Sequence, residues 1–186
     1  MRSFFVGTSV PIFLLGDTMN QKTKNLVRGA LIAALYIALT YLQNFLVPGS
    51  ASMMIQFRVS EALCVLALYS PAAIWGLTAG CLVFNISNAA ALPLDVVIGP
   101  AATLLACGAI YLTRKITIKG YPLLALFMPA IFNGLMVGWE LSFHIGGGFW
   151  LNAMYVAIGE AAVLLILGSL LHFAIRARNL DRRLFS

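Results

Sequence analysis

Charge is what this chain has least of. Only 10% of its 186 residues are charged, whereas 61% are hydrophobic; a soluble domain is about 25% charged and about 45–50% apolar. A soluble fold of this length would bury only about 70% of its surface, and 12 basic plus 6 acidic side chains cannot cover the rest. A water-soluble globule is therefore excluded, and the same apolarity excludes disorder. Cysteine is scarce too. Cys64, Cys81 and Cys107 stand singly in apolar runs with no CxxC pair and no metal-ligand spacing, so they are expected to act as small hydrophobes and to hold no metal. No H-E-x-x-H, nucleophile elbow or nucleotide-binding motif occurs, and His144 and His172 are far apart. These absences argue against an intramembrane enzyme, imply no cofactor, and leave any ATP dependence to partners. No internal repeat is visible, which argues against inverted-repeat transporter folds.

Long apolar runs are abundant. A spanning helix takes about 20 apolar residues, so the expected fold is an all-α integral membrane protein with six transmembrane helices, at about 26–47, 56–69, 71–88, 95–113, 122–142 and 152–175. These form one domain, 19–186. The first 18 residues make a poor signal peptide, with one Arg, Pro11 in the middle and no A-x-A-like site, and Met19 is an alternative initiator. The second span is short and is expected to tilt or to start inside the bilayer edge. Tyr69-Ser70-Pro71 joins it to the third in a tight hairpin. Lys22, Lys24, Arg28, Arg114, Lys115, Lys119, Arg176, Arg178, Arg182 and Arg183 all fall on one side of the bilayer, and only Arg58 on the other. Basic residues stay inside, so both termini are expected to be cytoplasmic, and the net charge of +6 reflects topology rather than nucleic-acid binding.

The acids are more informative. Asp17 and Asp181 lie in the tails, while the topology puts Glu61, Asp95, Glu140 and Glu160 in the outer half. A carboxylate at membrane depth costs at least about 2.5 kcal/mol and is a functional-site candidate by default. Glu160, about two turns inside span six with no charged neighbour in sequence, is the strongest. The other three have structural alternatives. Glu61 follows Arg58 by three residues, Asp95 suits an N-cap, and Glu140 precedes His144 by four. Asn133, Val137, Glu140 and His144 share one helical face, as do Thr78, Cys81, Asn85 and Asn88. Polar stripes in lipid must turn inward. Trp139, Trp150, Phe149 and Tyr155 are close by and also suit an interfacial belt. Together these groups describe an outward-open polar site for a flat, hydrogen-bonding, cationic small molecule. Its candidate ligand residues are Glu160, Glu140, Glu61, Asp95, Asn85, Asn133, Arg58, Trp139, Gln56 and His144.

Small residues recur at helical spacing. Gly76 with Gly80, and Gly134 with Gly138, are faces for close packing. Ala30, Ala34 and Ala38, with Gly29 and Ala33 beside them, either pack within the bundle or offer a smooth ridge to another membrane protein.

The stretches IQFRVSEALCVLALYSPAAIWGLTAGCLVFN (55–85), LDVVIGPAATLLA (94–106) and NGLMVGWEL (133–141) resemble the QueT branch of the substrate-binding S-components of energy-coupling factor transporters. The resemblance covers about residues 20–175. It implies a vitamin-uptake subunit of a prokaryotic plasma membrane that takes queuosine precursors, deazaguanines bearing a nitrile or an aminomethyl group. It further implies docking through span one on a transmembrane coupling protein driven by two cytoplasmic ATPases. The family's alanine motif falls on Ala30 and Ala34, and the family's mobile lid on the loop Pro48–Phe57. The polar set would suit thiamine or another cationic heterocycle as well, and a stand-alone proton-coupled carrier with Glu160 as relay is a further alternative.

Overall fold

The computed structural model describes residues 20–48, 57–88 and 92–180. Gln56, most of the loop Pro48–Phe57 and the first 19 residues lie outside them. Six helices follow one another: α1 (Gln21–Leu46), α2 (Val59–Leu68), α3 (Pro71–Ser87), α4 (Asp95–Thr113), α5 (Leu123–His144) and α6 (Phe149–Ala177). Among the described residues there is no strand beyond a lone bridge, Ile118 to Tyr121. α1, α4, α5 and α6 are each long and apolar enough to cross a membrane; α2 and α3 are shorter.

Local signals set the boundaries. The Asn20 side chain accepts from the Lys22 amide. Ser70 caps α3 by accepting from the Ala72 amide, with Pro71 in the first turn, where its missing N–H costs nothing. Gly146 and Gly147 adopt positive φ (85° and 82°) in the turn between α5 and α6, a conformation that L side chains resist. Asn152 holds that turn by donating to Gly146 O and Ser142 Oγ, both at 3.0 Å.

The short second helix departs from α-winding. α2 is a 3₁₀ helix over all ten residues, so it rises about 20 Å where an α-helix would rise about 15 Å. It runs through the middle of the bundle and touches every other helix, and Ser60 to Val65 are all buried. Around it Ile32, Tyr36, Leu63, Cys64, Leu77, Cys81, Cys107, Ile110 and Leu164 form the main core.

Both pairs of glycines mark close helix contacts. A Cβ on Gly76 would come within 2.5 Å of Gly29 O, and one on Gly80 within 3.0 Å of Ala33 O, so α1 and α3 pack almost backbone to backbone. A Cβ on Gly138 would meet Ala153 Cα at 2.5 Å, fixing α5 against α6 in the same way. α6 contains one π-helical turn, Leu164–Gly168, with Gly168 packed on Val65 of α2.

The outside of the bundle is apolar. Phe45 (83% exposed), Leu112 (80%), Trp75, Phe143, Trp150 and Ile166 project outward, as a surface solvated by lipid requires. At the end that holds the start of α1 and the finish of α6, Tyr69 Oη and His172 Nδ1 pair at 2.8 Å, Tyr121 bonds Ser169, and Arg176 donates to Gly120 O at 3.2 Å. These bonds gather the basic segments at one end.

Candidate functional site

At the opposite end, where α2, α4 and α6 begin and α5 finishes, the polar residues converge. Glu61, Glu140, Glu160 and Asn133 are each 0% exposed, and Arg58 is buried beside them. Arg58 stands within electrostatic reach of Glu61, Glu160 and Glu140. Glu160 lies beside Asn133 and faces Glu61, and Glu140 lies beside Asp95.

The four acids are held differently. Glu61 is satisfied within the fold: Tyr36 Oη donates to it at 2.8 Å and the Cys64 thiol at 3.0 Å. Cys64 is thus a donor as well as a core residue. Asp95 accepts from the Leu92 amide at 2.8 Å and so closes the turn that leads into α4. Its carboxylate serves the preceding residues rather than the free amides of its own helix. Glu140 and Glu160 differ from both, since all four of their carboxylate oxygens are buried without a hydrogen-bond partner. The same is true of both amide atoms of Asn133 and of Arg58 Nε. Buried polar groups are nearly always bonded in native proteins, and leaving one unbonded costs about 1–3 kcal/mol. A cluster of such groups at the meeting point of several helices is poised to bond something that the chain does not itself supply.

Other candidates stand differently. Asn85 spends its amide on Asp95 O (2.7 Å), tying α3 to the start of α4. His144 turns its ring Nδ1 to the Glu140 backbone carbonyl at 3.1 Å, not to the carboxylate, and stacks edge-on against Phe143. Trp139 is 50% exposed on the outward face of α5, stacked on Phe143, one residue round from the buried Glu140. Gln56 lies outside the described residues. Of the stripe Asn133, Val137, Glu140 and His144, the first three are buried. The alanines divide: Gly29 and Ala33 pack on α3, while Ala30, Ala34 and Ala38 are exposed along α1.

α1 also contributes polar groups that the sequence reading passed over. Thr40 Oγ1 donates to Ser60 Oγ (2.8 Å), Gln43 Oε1 accepts from the Val59 amide (2.7 Å), and Gln43 Nε2 bonds Phe57 O. With Tyr36 these residues stitch the inner face of α1 to the start of α2. Their spacing of i, i+4 and i+7 is a visible signal for such a face.

Comparison with known proteins places the chain in a family. The QueT transporter family profile matches residues 26–177. The queuosine precursor transporter QueT of Lactococcus lactis subsp. cremoris (strain MG1363) is 33% identical over 156 residues, which is 78% of this chain and 88% of that protein. No solved structure matches the chain.

Proposed function

Since the chain belongs to the QueT transporter family, we propose that it captures a queuosine precursor in the cluster around Glu160, Asn133 and Glu140 and delivers it inward as the substrate-binding subunit of an energy-coupling factor importer. It is a multi-pass membrane protein that transports a small molecule. The observation that carries the site is the set of buried polar atoms without partners on Glu140, Glu160 and Asn133. A deazaguanine edge offers N–H donors to carboxylates, and a carbonyl to an amide or guanidinium donor.

In this reading all six helices cross the bilayer with both termini cytoplasmic. The basic residues of α1, of the loop 114–119 and of the end of α6 support it, and the extended winding of α2 adds reach to the shortest crossing. The exposed alanines of α1 fit docking on a coupling protein. Gly29 and Ala33 hold α1 on α3, leaving Ala30 and Ala34 exposed on α1, with Ala30 lining an apolar groove of about 520 Å³ between the two helices. Two cytoplasmic ATPases would then supply the energy. Neither a thiamine-type ligand nor a stand-alone carrier gains support from the family assignment.

The test is uptake of a labelled queuosine precursor by cells that express the protein with and without the coupling protein and ATPases. Uptake should need the ATPases and survive a proton uncoupler. Loss with the uncoupler alone would overturn the importer reading. Mass spectrometry of small molecules that copurify in detergent should find a deazaguanine.

A further inference from the structure

Resting on that functional reading, we propose that the site is two-ended and charge-selective: Glu160 and Asn133 bind the guanine-like edge of the ligand, and Glu140 with Asp95 binds a cationic amine arm. The site therefore takes the ammonium-bearing precursor in preference to a neutral one.

The argument begins with charge. Glu61, Glu140 and Glu160 are fully buried and Asp95 is partly buried, while Arg58 is the one basic side chain set among them in the described structure. Tyr36 and Cys64 satisfy Glu61. That leaves two carboxylates without any donor, near a single guanidinium. A ligand that brings one positive charge and several N–H donors repairs both deficits, whereas a neutral ligand repairs only the second.

The geometry then separates the two ends. Asn133 and Glu140 lie seven residues apart on one face of α5, which is about 10 Å along the axis. That is about the reach of a bicyclic base carrying a one-carbon amine arm. Between them on the same face is Val137, buried and packed with Val156 and Leu141, an apolar strip suited to the flat of a ring. The deeper end combines a carboxylate with an amide that has both its donor and its acceptor free, the pattern that a base edge with N–H and C=O groups requires. The shallower end sets a second carboxylate, Glu140, beside Asp95. Two neighbouring acids suit an ammonium, which has three donors and no acceptor.

The experiment is isothermal titration of the detergent-purified protein with two probes, the aminomethyl-deazaguanine and the nitrile-deazaguanine, on wild type, Glu140→Gln and Glu160→Gln. Wild type should bind the aminomethyl compound at least tenfold more tightly. Glu140→Gln should lose at least tenfold for the aminomethyl compound and far less for the nitrile, with an unchanged size-exclusion profile certifying the fold. Glu160→Gln should weaken both. Equal wild-type affinity for the two probes, or an equal loss of both in Glu140→Gln, would overturn charge selection and leave the transport reading standing. Failure of wild type to bind either probe would overturn that reading and this proposal together.

Discussion

Replacing Glu160 by Gln should move stability and function in opposite directions. The side chain is fully buried with neither carboxylate oxygen bonded, so in the unliganded protein it is a net cost. A carboxylate at this depth costs at least about 2.5 kcal/mol. The isosteric amide, equally unbonded, costs about 1–3 kcal/mol on mutational scales. The substitution should therefore stabilise the empty protein by ~1 kcal/mol, which for a chain of this size raises the midpoint of thermal unfolding by about 2–4 °C. The same change removes an acceptor for the ligand and should weaken binding at least tenfold, about 1.4 kcal/mol. Thermal unfolding in detergent without ligand gives the first quantity, and titration with an aminomethyl-deazaguanine gives the second. A fall in stability would refute the reasoning, because it would mean that Glu160 holds the bundle together. Unchanged affinity would refute it from the other side.

Three more outcomes follow from the packing. Replacing Ala30 and Ala34 by Trp should abolish uptake and copurification with the coupling protein while leaving ligand affinity within about twofold, since both alanines are exposed and lie toward the opposite end from the acids; collapse of binding as well would mean that the ridge packs inside. Tyr36→Phe removes one of the two donors to Glu61 and should lower stability by about 1–3 kcal/mol, read as an earlier thermal transition. Gly138→Val would drive a side chain into Ala153 and should abolish folded material on size exclusion, whereas Gly108→Ala, with nothing within 4 Å, should be neutral or slightly stabilising.

Much of this architecture was legible because lipid permits few solutions. Once water is excluded, apolar runs and their proline or glycine breaks mark helices to within a few residues, and α4 spans 95–113 as its hydropathy predicts. The winding of α2 was not legible, since nothing in Val59–Leu68 distinguishes ten residues of 3₁₀ helix from ten of α-helix. The helix lies largely buried against all the others, a tertiary setting that its own ten residues do not display. Within the site, the inward turn of Asn133 and Glu140 follows from polar side chains having no partner in lipid. Asn85 and Trp139 show the limits of the same logic. A polar residue can turn inward only to bond a neighbouring backbone, and an aromatic one residue from a buried acid points about 100° away from it on a helix. The Tyr36–Glu61 bond joins residues 25 apart and became visible only with both helices in place.

The π-turn at Leu164–Gly168 acts as a rotational spacer. Glu160 and His172, both buried, are twelve residues apart. On an uninterrupted α-helix, at 3.6 residues per turn, they would point about 120° apart. One π-turn absorbs a residue without advancing the helix by its usual angle, which brings the two directions to within about 20°. A single helix thereby serves the acid cluster at one end and Tyr69 at the other. Deleting one residue of Leu164–Gly168 would leave Glu160 and His172 eleven residues apart on a regular α-helix, again within about 20° of each other, so the Tyr69–His172 bond should survive it. Forcing the full-length segment into regular α-winding would instead turn His172 about 100° away and break that bond while every residue of the acid cluster kept its identity.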